Sequence, residues 1–368
     1  MDWARATLFS LIGLFVIWLL IVLAAVVVGV RLHLGPALVE LGERTQQAAL
    51  GPKGGLDSKG VARADIQLAP QASAFPPGVH KATLTALMHL QQLWALADFL
   101  RQEEKHDAQG FVVSTLPAAD QKRFDLLTNW YIVPGARTDK QAEDLPAFAA
   151  VGLLHGSEPT VLFRGTSSYG ELIENDFGNT YLAAHASPGI QALIRLGVPL
   201  PYPPQEMMTD KSGSRRFGGV NAAFLATFRS VIEGVEKGMP LVFPKDSDNA
   251  MLTLAGHSLG AGVACLAAAW FANSRSVRLL GVATPKPGSP EFVSNLEQMN
   301  VGTYLYANDA DIVPVSPTSV VPNFAEAKGI LKYANPLNVF RFAGFAESLV
   351  QAHTIMTYVR AIEKAIES

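Results

Sequence analysis

Met251-Leu252-Thr253-Leu254-Ala255-Gly256-His257-Ser258-Leu259-Gly260-Ala261-Gly262 is the stretch that decides the fold. The apolar run Met251–Ala255 suits a short, buried parallel strand. Gly262–Phe271 reads as a buried helix whose small side chains let it pack close to a sheet. Between them, Gly256-His257-Ser258-Leu259-Gly260 has the G-x-S-x-G spacing of a nucleophile elbow. In so tight a turn the residues two before and two after the serine crowd one another, which calls for glycine at both places. The serine is expected in a strained backbone conformation that lifts its hydroxyl clear of the sheet. The N-terminus of the next helix lies beneath it. The bare pattern is a weak signal, and a glycine-rich turn with a capping serine is the plainer reading. The strand on one side and the small-residue helix on the other give the pattern its weight.

A serine hydroxyl is a poor nucleophile near neutral pH and needs a base that is itself oriented by a carboxylate. On a strand–elbow–helix scaffold the partners follow in the order Ser, acid, His. Only one histidine, His353, lies after Ser258, and only two aspartates, Asp309 and Asp311. Both aspartates follow the core-strand run Val301–Tyr306, so they fall on the rim that carries the elbow. His353 opens an expected final helix, Thr354–Ile366. Glu291, Glu297, Glu326 and Glu347 are fallback acids, none at a convincing strand end. The residues alone leave Asp309 and Asp311 open.

Several segments together resemble the class 3 (fungal-type) lipases. They are Thr160-Val161-Leu162-Phe163-Arg164-Gly165-Thr166, the Gly-His-Ser-Leu-Gly elbow, Asp311-Ile312-Val313-Pro314 and His353-Thr354-Ile355-Met356-Thr357-Tyr358. Val282–Ser289 is similar to the strand-to-helix segment that follows the elbow helix in that family. The likeness covers roughly residues 125 to 368. It implies an α/β-hydrolase fold and acyl-ester hydrolysis by Ser258, Asp311 and His353, with Asp311 favoured because the family's acid closely precedes a Val-Pro pair. It also implies an oxyanion role for Thr166, beside the N–H of Leu259, since a tetrahedral intermediate needs fixed donors. The sequence departs from the family at Asn221-Ala222-Ala223-Phe224, where many members carry a histidine-x-glycine-phenylalanine segment.

The formal charge is −3 with scattered basic residues, which gives no footprint for nucleic acid. No Cys/His cluster has metal-ligand spacing, and no cofactor is expected. The single Cys265 cannot form an intrachain disulfide and is expected to pack in the core. The lipid or other acyl-ester substrate is the expected small partner. Phospholipase or thioesterase activity with the same residues, or a catalytically silent membrane-tethered binding module, are the alternatives.

Leu8–Val30 is an uncharged run of 23 residues. At helical rise it spans about 35 Å, enough to cross a hydrocarbon core of about 30 Å. It exceeds a signal-peptide apolar region and no convincing cleavage site follows, so it is expected to be an uncleaved single-pass membrane anchor. Arg5 on one side and Arg31 and Arg44 on the other leave its orientation undecided. The expected organisation is a tail at 1–7, the anchor at 8–30, a juxtamembrane linker at 31–80 and the hydrolase domain at 81–368. Within that domain Ala82–Arg101 reads as a helix with a leucine packing stripe, and Phe148–His155 and Thr160–Phe163 as strands. The strand–helix alternation beyond predicts a mostly parallel sheet with helices on both faces. Residues 167–216 are long for a plain loop, and a lid over the site is expected within Leu172–Leu200.

Overall fold

The computed structural model describes residues 61–69, 75–102, 110–135, 145–165, 205–245, 247–299, 301–311, 313–315, 320–322, 330–332, 334, 336, 338–344 and 349–368. All of them lie in one compact unit, Lys53–Ser368. In chain order the strands are β1 (Ile66–Leu68), β2 (Phe111–Val112), β3 (Tyr131–Gly135), β4 (Leu145–Leu154), β5 (Glu158–Phe163), β6 (Gln205–Thr209), β7 (Arg216–Asn221), β8 (Leu252–His257), β9 (Val277–Val282), β10 (Gly302–Asn308), β11 (Val320–Pro322), β12 (Ile330–Lys332) and β13 (Val339–Gly344). The helices are α1 (Pro77–Gln102), α2 (Ala118–Arg123), α3 (Ala222–Val242), α4 (Leu259–Phe271), α5 (Pro290–Gln298), α6 (Leu349–His353) and α7 (Ile355–Glu367).

The main sheet has the order β1-β13-β10-β9-β8-β5-β4-β3-β2, so the elbow strand β8 is its middle strand. β5, β8, β9, β10 and β13 pair in parallel, and antiparallel pairings flank them at both ends. Every residue of β8 is buried, as a strand covered on both faces must be. On one face, α1 and α7 close a core with Leu87, Leu90, Leu93 and Leu96 of the expected leucine stripe, against Tyr306, Phe340 and Phe342 of the sheet. On the other, α3, α4 and α5 pack through Phe224, Phe228, Val263, Leu266 and Phe292. This is the expected α/β-hydrolase arrangement, a largely parallel centre between two helical layers.

Several expectations need correction. The linker placed at 31–80 overlaps the folded body. Ile66–Leu68 pairs antiparallel with Phe342–Gly344, and α1 starts at Pro77. The Val61 N–H donates to Thr357 Oγ1 at 3.1 Å, Arg360 donates to Val61 O at 2.7 Å, and Lys364 donates to Ile66 O. Part of the expected 167–216 excursion is also regular, since β6 and β7 form an antiparallel hairpin. The rest of it, with the lid segment Leu172–Leu200, lies outside the described residues. The anchor at Leu8–Val30 also lies outside them, and among the described residues no helix is long and apolar enough to cross a membrane. His353 does not open the last helix. It ends α6, and Thr354 caps α7 by accepting from the Thr357 N–H at 3.3 Å.

Candidate active site

Ser258 stands between β8 and α4 with φ 56° and ψ −129°, a conformation that an L residue adopts only when its surroundings enforce it. The enforcement is steric. A Cβ on Gly256 would be driven into the main chain of Gly260, and one on Gly260 into the carbonyl oxygens of Phe163 and Arg164. The Ser258 N–H donates to Val282 O at 3.0 Å and ties the turn to β9. With the backbone held, Ser258 Oγ projects from the C-terminal rim of the sheet.

His353 and Asp311 come to the same rim from distant parts of the chain. His353 Nε2 lies 2.8 Å from Ser258 Oγ, and its Nδ1 lies 2.7 Å from Asp311 Oδ2. Asp311 follows the C-terminal end of β10 in a turn built around Asn308. The Asp311 N–H donates to Asn308 O, and Asn308 Oδ1 accepts from the N–H groups of Ala310 and Gly344. Asn308 Nδ2 donates to Ala352 O at 3.0 Å, tying this turn to the residue before His353. The Asp311 side chain is fully enclosed and that of His353 is 25% exposed, so solvent reaches the imidazole but not the carboxylate.

Asp309 has a different environment. It is exposed and pairs with Arg341 at 3.1 Å on the surface. Of the fallback acids, Glu291 and Glu297 sit exposed on α5, while Glu326 and Glu347 lie outside the described residues. Thr166 also lies outside them. The strand end that leads to it is described, and a Cβ on Gly165 would approach Ser258 Cβ to 3.2 Å. The buried Arg164 guanidinium braces that strand end by donating to Gly165 O at 2.8 Å and to Pro146 O at 3.2 Å. Leu259 is the first residue of α4, and an N–H in the first helical turn has no intrahelical acceptor. That amide is left available beside Ser258.

Burial by itself would raise the Asp311 carboxyl. The His353 imidazole, together with hydrogen bonds from His353, the Val313 N–H and Tyr358 OH, outweighs it and holds the group below its usual value. Tyr358 is fully buried, and burial beside the Asp311 charge pushes its phenol well above 10. It therefore stays an O–H donor, 2.7 Å from Asp311 Oδ2, and accepts from the Asn308 N–H at 3.1 Å. Burial first, then the neighbouring His353, depresses His257 to about 3. Its Nε2 lies 3.0 Å from His353 O. Burial pushes the Cys265 thiol up to about 12, an inert group packed in the core as expected. Asn221, where the resemblance would put a histidine, caps α3 by accepting from the Ala223 and Phe224 N–H groups.

Sequence reading missed the parts of Tyr358, Asn308 and His257. Tyr358 and His257 lie within the segments that carry the family resemblance, but only the fold shows that both face the Ser258–His353–Asp311 line.

Residues 160–321 match the family model described as Lipase (class 3). Over this segment the chain is similar to the class 3 lipase family. At the level of reaction class, the chain is a carboxylic ester hydrolase of lipase type. Among solved structures it is similar to the nonglycosylated LIP2 lipase of Yarrowia lipolytica, with 11% identity and a TM-score of 0.43 over 75% of this chain and 81% of that one. It is also similar to the native Rhizomucor miehei lipase propeptide complex, with 14% identity and a TM-score of 0.38 over 86% and 91% of the two chains. The lipase from Rhizopus microsporus var. chinensis gives 14% identity and a TM-score of 0.39 over 76% and 84%. No curated protein matches the sequence.

Proposed function

We propose that this chain is a serine hydrolase that cleaves carboxylic ester bonds of lipids through an acyl-enzyme, using Ser258, His353 and Asp311. The observation that carries the reading is the unbroken hydrogen-bonded line from Ser258 Oγ through both ring nitrogens of His353 to Asp311 Oδ2, at 2.8 and 2.7 Å. His353 takes the Ser258 proton as Oγ attacks the ester carbonyl carbon. The resulting oxyanion is stabilised by the Leu259 N–H and by Thr166. His353 then passes the proton to the leaving alcohol, and water repeats the cycle to release the carboxylic acid and restore Ser258. Asp311 keeps the imidazole in the Nδ1–H tautomer and stabilises its charged form.

In this reading residues 8–30 anchor the enzyme in a membrane, and part of Leu172–Leu200 covers the site until it meets lipid. The uncharged 23-residue run supports the first statement and the position of the excursion directly after the Thr166 strand end supports the second.

The test is fluorophosphonate labelling of the detergent-solubilised full chain beside Ser258→Ala, with turnover of a triacylglycerol, a phospholipid, a thioester and a soluble short ester. Labelling at Ser258 and a loss of about three or more orders of magnitude in kcat for Ser258→Ala are expected. An unlabelled wild-type chain, or a Ser258→Ala rate near wild type, removes the hydrolase mechanism and leaves a silent membrane-tethered module. A rate that jumps above the ester's solubility limit supports the lid, and a plain hyperbolic curve counts against it.

A further inference from the structure

One titratable side chain in the middle of the site has no part in the proton path. His257 ends β8, is 7% exposed and adjoins Ser258 in sequence. A main-chain carbonyl can only accept, so the 3.0 Å contact with His353 O fixes the tautomer, with Nε2–H donating. The two imidazole rings lie with centroids 4.8 Å apart at 38°, and the Tyr358 ring lies T-shaped to that of His257 with centroids 6.2 Å apart. The third neighbour is Gly165, where a Cβ would come within 2.9 Å of His257 Nδ1. One ring thus touches the base and the strand end leading to Thr166, while its own backbone carries the nucleophile.

His353 needs such a contact because of where it sits. It is the last residue of the five-residue α6, and Thr354 breaks the helix with φ −67° and ψ 146°. The carbonyls at a helix end have no intrahelical donor. His257 supplies the donor for His353 O, and the same contact limits where the imidazole above it can point. Its depressed basicity leaves it neutral, so it does not compete with His353 for the transferred proton.

We propose that His257 is a positioning residue for the Ser258–His353 pair: its Nε2–H holds the His353 main chain, and its ring face sets the plane of the His353 imidazole. The proposal rests on the hydrolase reading above. A misplacement of about 1 Å in a reacting group can reduce a rate about 100-fold, so a contact of this kind has kinetic weight without touching substrate.

The test compares wild type, His257→Gln and His257→Phe as full chains in detergent. The readouts are the second-order rate of fluorophosphonate labelling, kcat and KM on a soluble short ester, and the thermal midpoint. Gln places an N–H donor near the position of Nε2, and Phe fills the space without one. Phe is expected to slow labelling and kcat about 10- to 100-fold with KM within about threefold, and Gln to recover to within about fivefold of wild type. If Phe prevents folding, His257→Leu makes the same comparison. Folded apolar variants that label at the wild-type rate, or a Gln variant as slow as Phe, would overturn the proposal and leave His257 as a space-filling residue. Wild-type chain that fails to label at Ser258 is a separate outcome, which ends the hydrolase reading and this inference together.

Discussion

The Tyr358 hydroxyl donates to Oδ2 of Asp311 at 2.7 Å, on the same oxygen that faces His353. A carboxylate oxygen accepts two donors readily, and each favours the ionised form. Tyr358 also accepts from the Asn308 N–H, so one phenol joins the carboxylate to the turn that presents it.

Tyr358→Phe should therefore act on both stability and acid tolerance. It removes a hydrogen bond to a charged group and leaves a buried N–H without its acceptor, a loss of about 2 to 4 kcal/mol. Asp311 loses one of the donors that hold its carboxyl down, so its protonation moves to higher pH. Wild type loses the contribution of ionised Asp311 on acidification and the variant has less of it to lose, so urea midpoints at pH 7 and pH 3.5 are expected to show a smaller deficit at the lower pH. Equal deficits at both would disconnect the phenol from the ionisation of Asp311.

The two aspartates should separate cleanly. Asp311→Asn leaves the shape but cannot hold the Nδ1–H tautomer, and a loss of about two to four orders of magnitude in kcat is expected. Asp309→Asn breaks an exposed pair with Arg341, worth at most about 1 kcal/mol, and should leave kcat within about twofold. Turnover of a soluble ester by the two variants decides it, and the reverse ranking would reassign the acid.

Stability should fall as the solution is acidified from 6.5. Unfolded, His257 titrates near its ordinary 6.5, and folded at about 3. Between those values only the unfolded chain binds the proton, so stability drops with falling pH at about 1.4 kcal/mol per unit. Asp311, depressed in the fold, adds its own loss below its usual value, as pH falls through its folded value. Thermal midpoints at pH 7 and pH 5 should differ by about 4 °C or more in wild type. His257→Gln, with nothing to titrate there, should show a smaller difference, and an unchanged one would place the acid sensitivity elsewhere.

Gly260→Ala should damage the fold before the chemistry. Its methyl would enter the main-chain oxygens of Phe163 and Arg164, which belong to the neighbouring strand end and cannot swing aside. More than about 2 kcal/mol of destabilisation is expected, read as a shifted denaturation midpoint. An unshifted midpoint would show that the elbow can relax away from β5.

The elbow was legible because each local feature agreed with the others: apolar run, paired glycines, small-residue helix. His353 was legible by elimination, being the one histidine after Ser258. What escaped reading depends on partners far along the chain. β1 has no strand signal of its own in three residues and exists because β13 pairs with it. β3 contains Pro134 and a register shift between Val133 and Gly135, so its alternation is broken in the sequence. The break between α6 and α7 rests on Thr354, whose capping geometry a helical periodicity does not reveal. The parts of His257 and Tyr358 are side-chain geometry, set only when β8, β10 and α7 meet at one rim.

β1 has a consequence beyond its size. It covers the outer edge of β13, held there by a hydrogen bond from Lys364 of α7 to Ile66 O, while Arg360 of α7 holds Val61 O just upstream. Without Val61–Leu68, β13 would present a bare row of amides and carbonyls beside apolar Phe340 and Phe342, a template on which a second molecule could add its own strand. A shortened form beginning after Leu68 should accordingly self-associate, however intact its catalytic rim, and the few residues before the first helix act as a guard against aggregation.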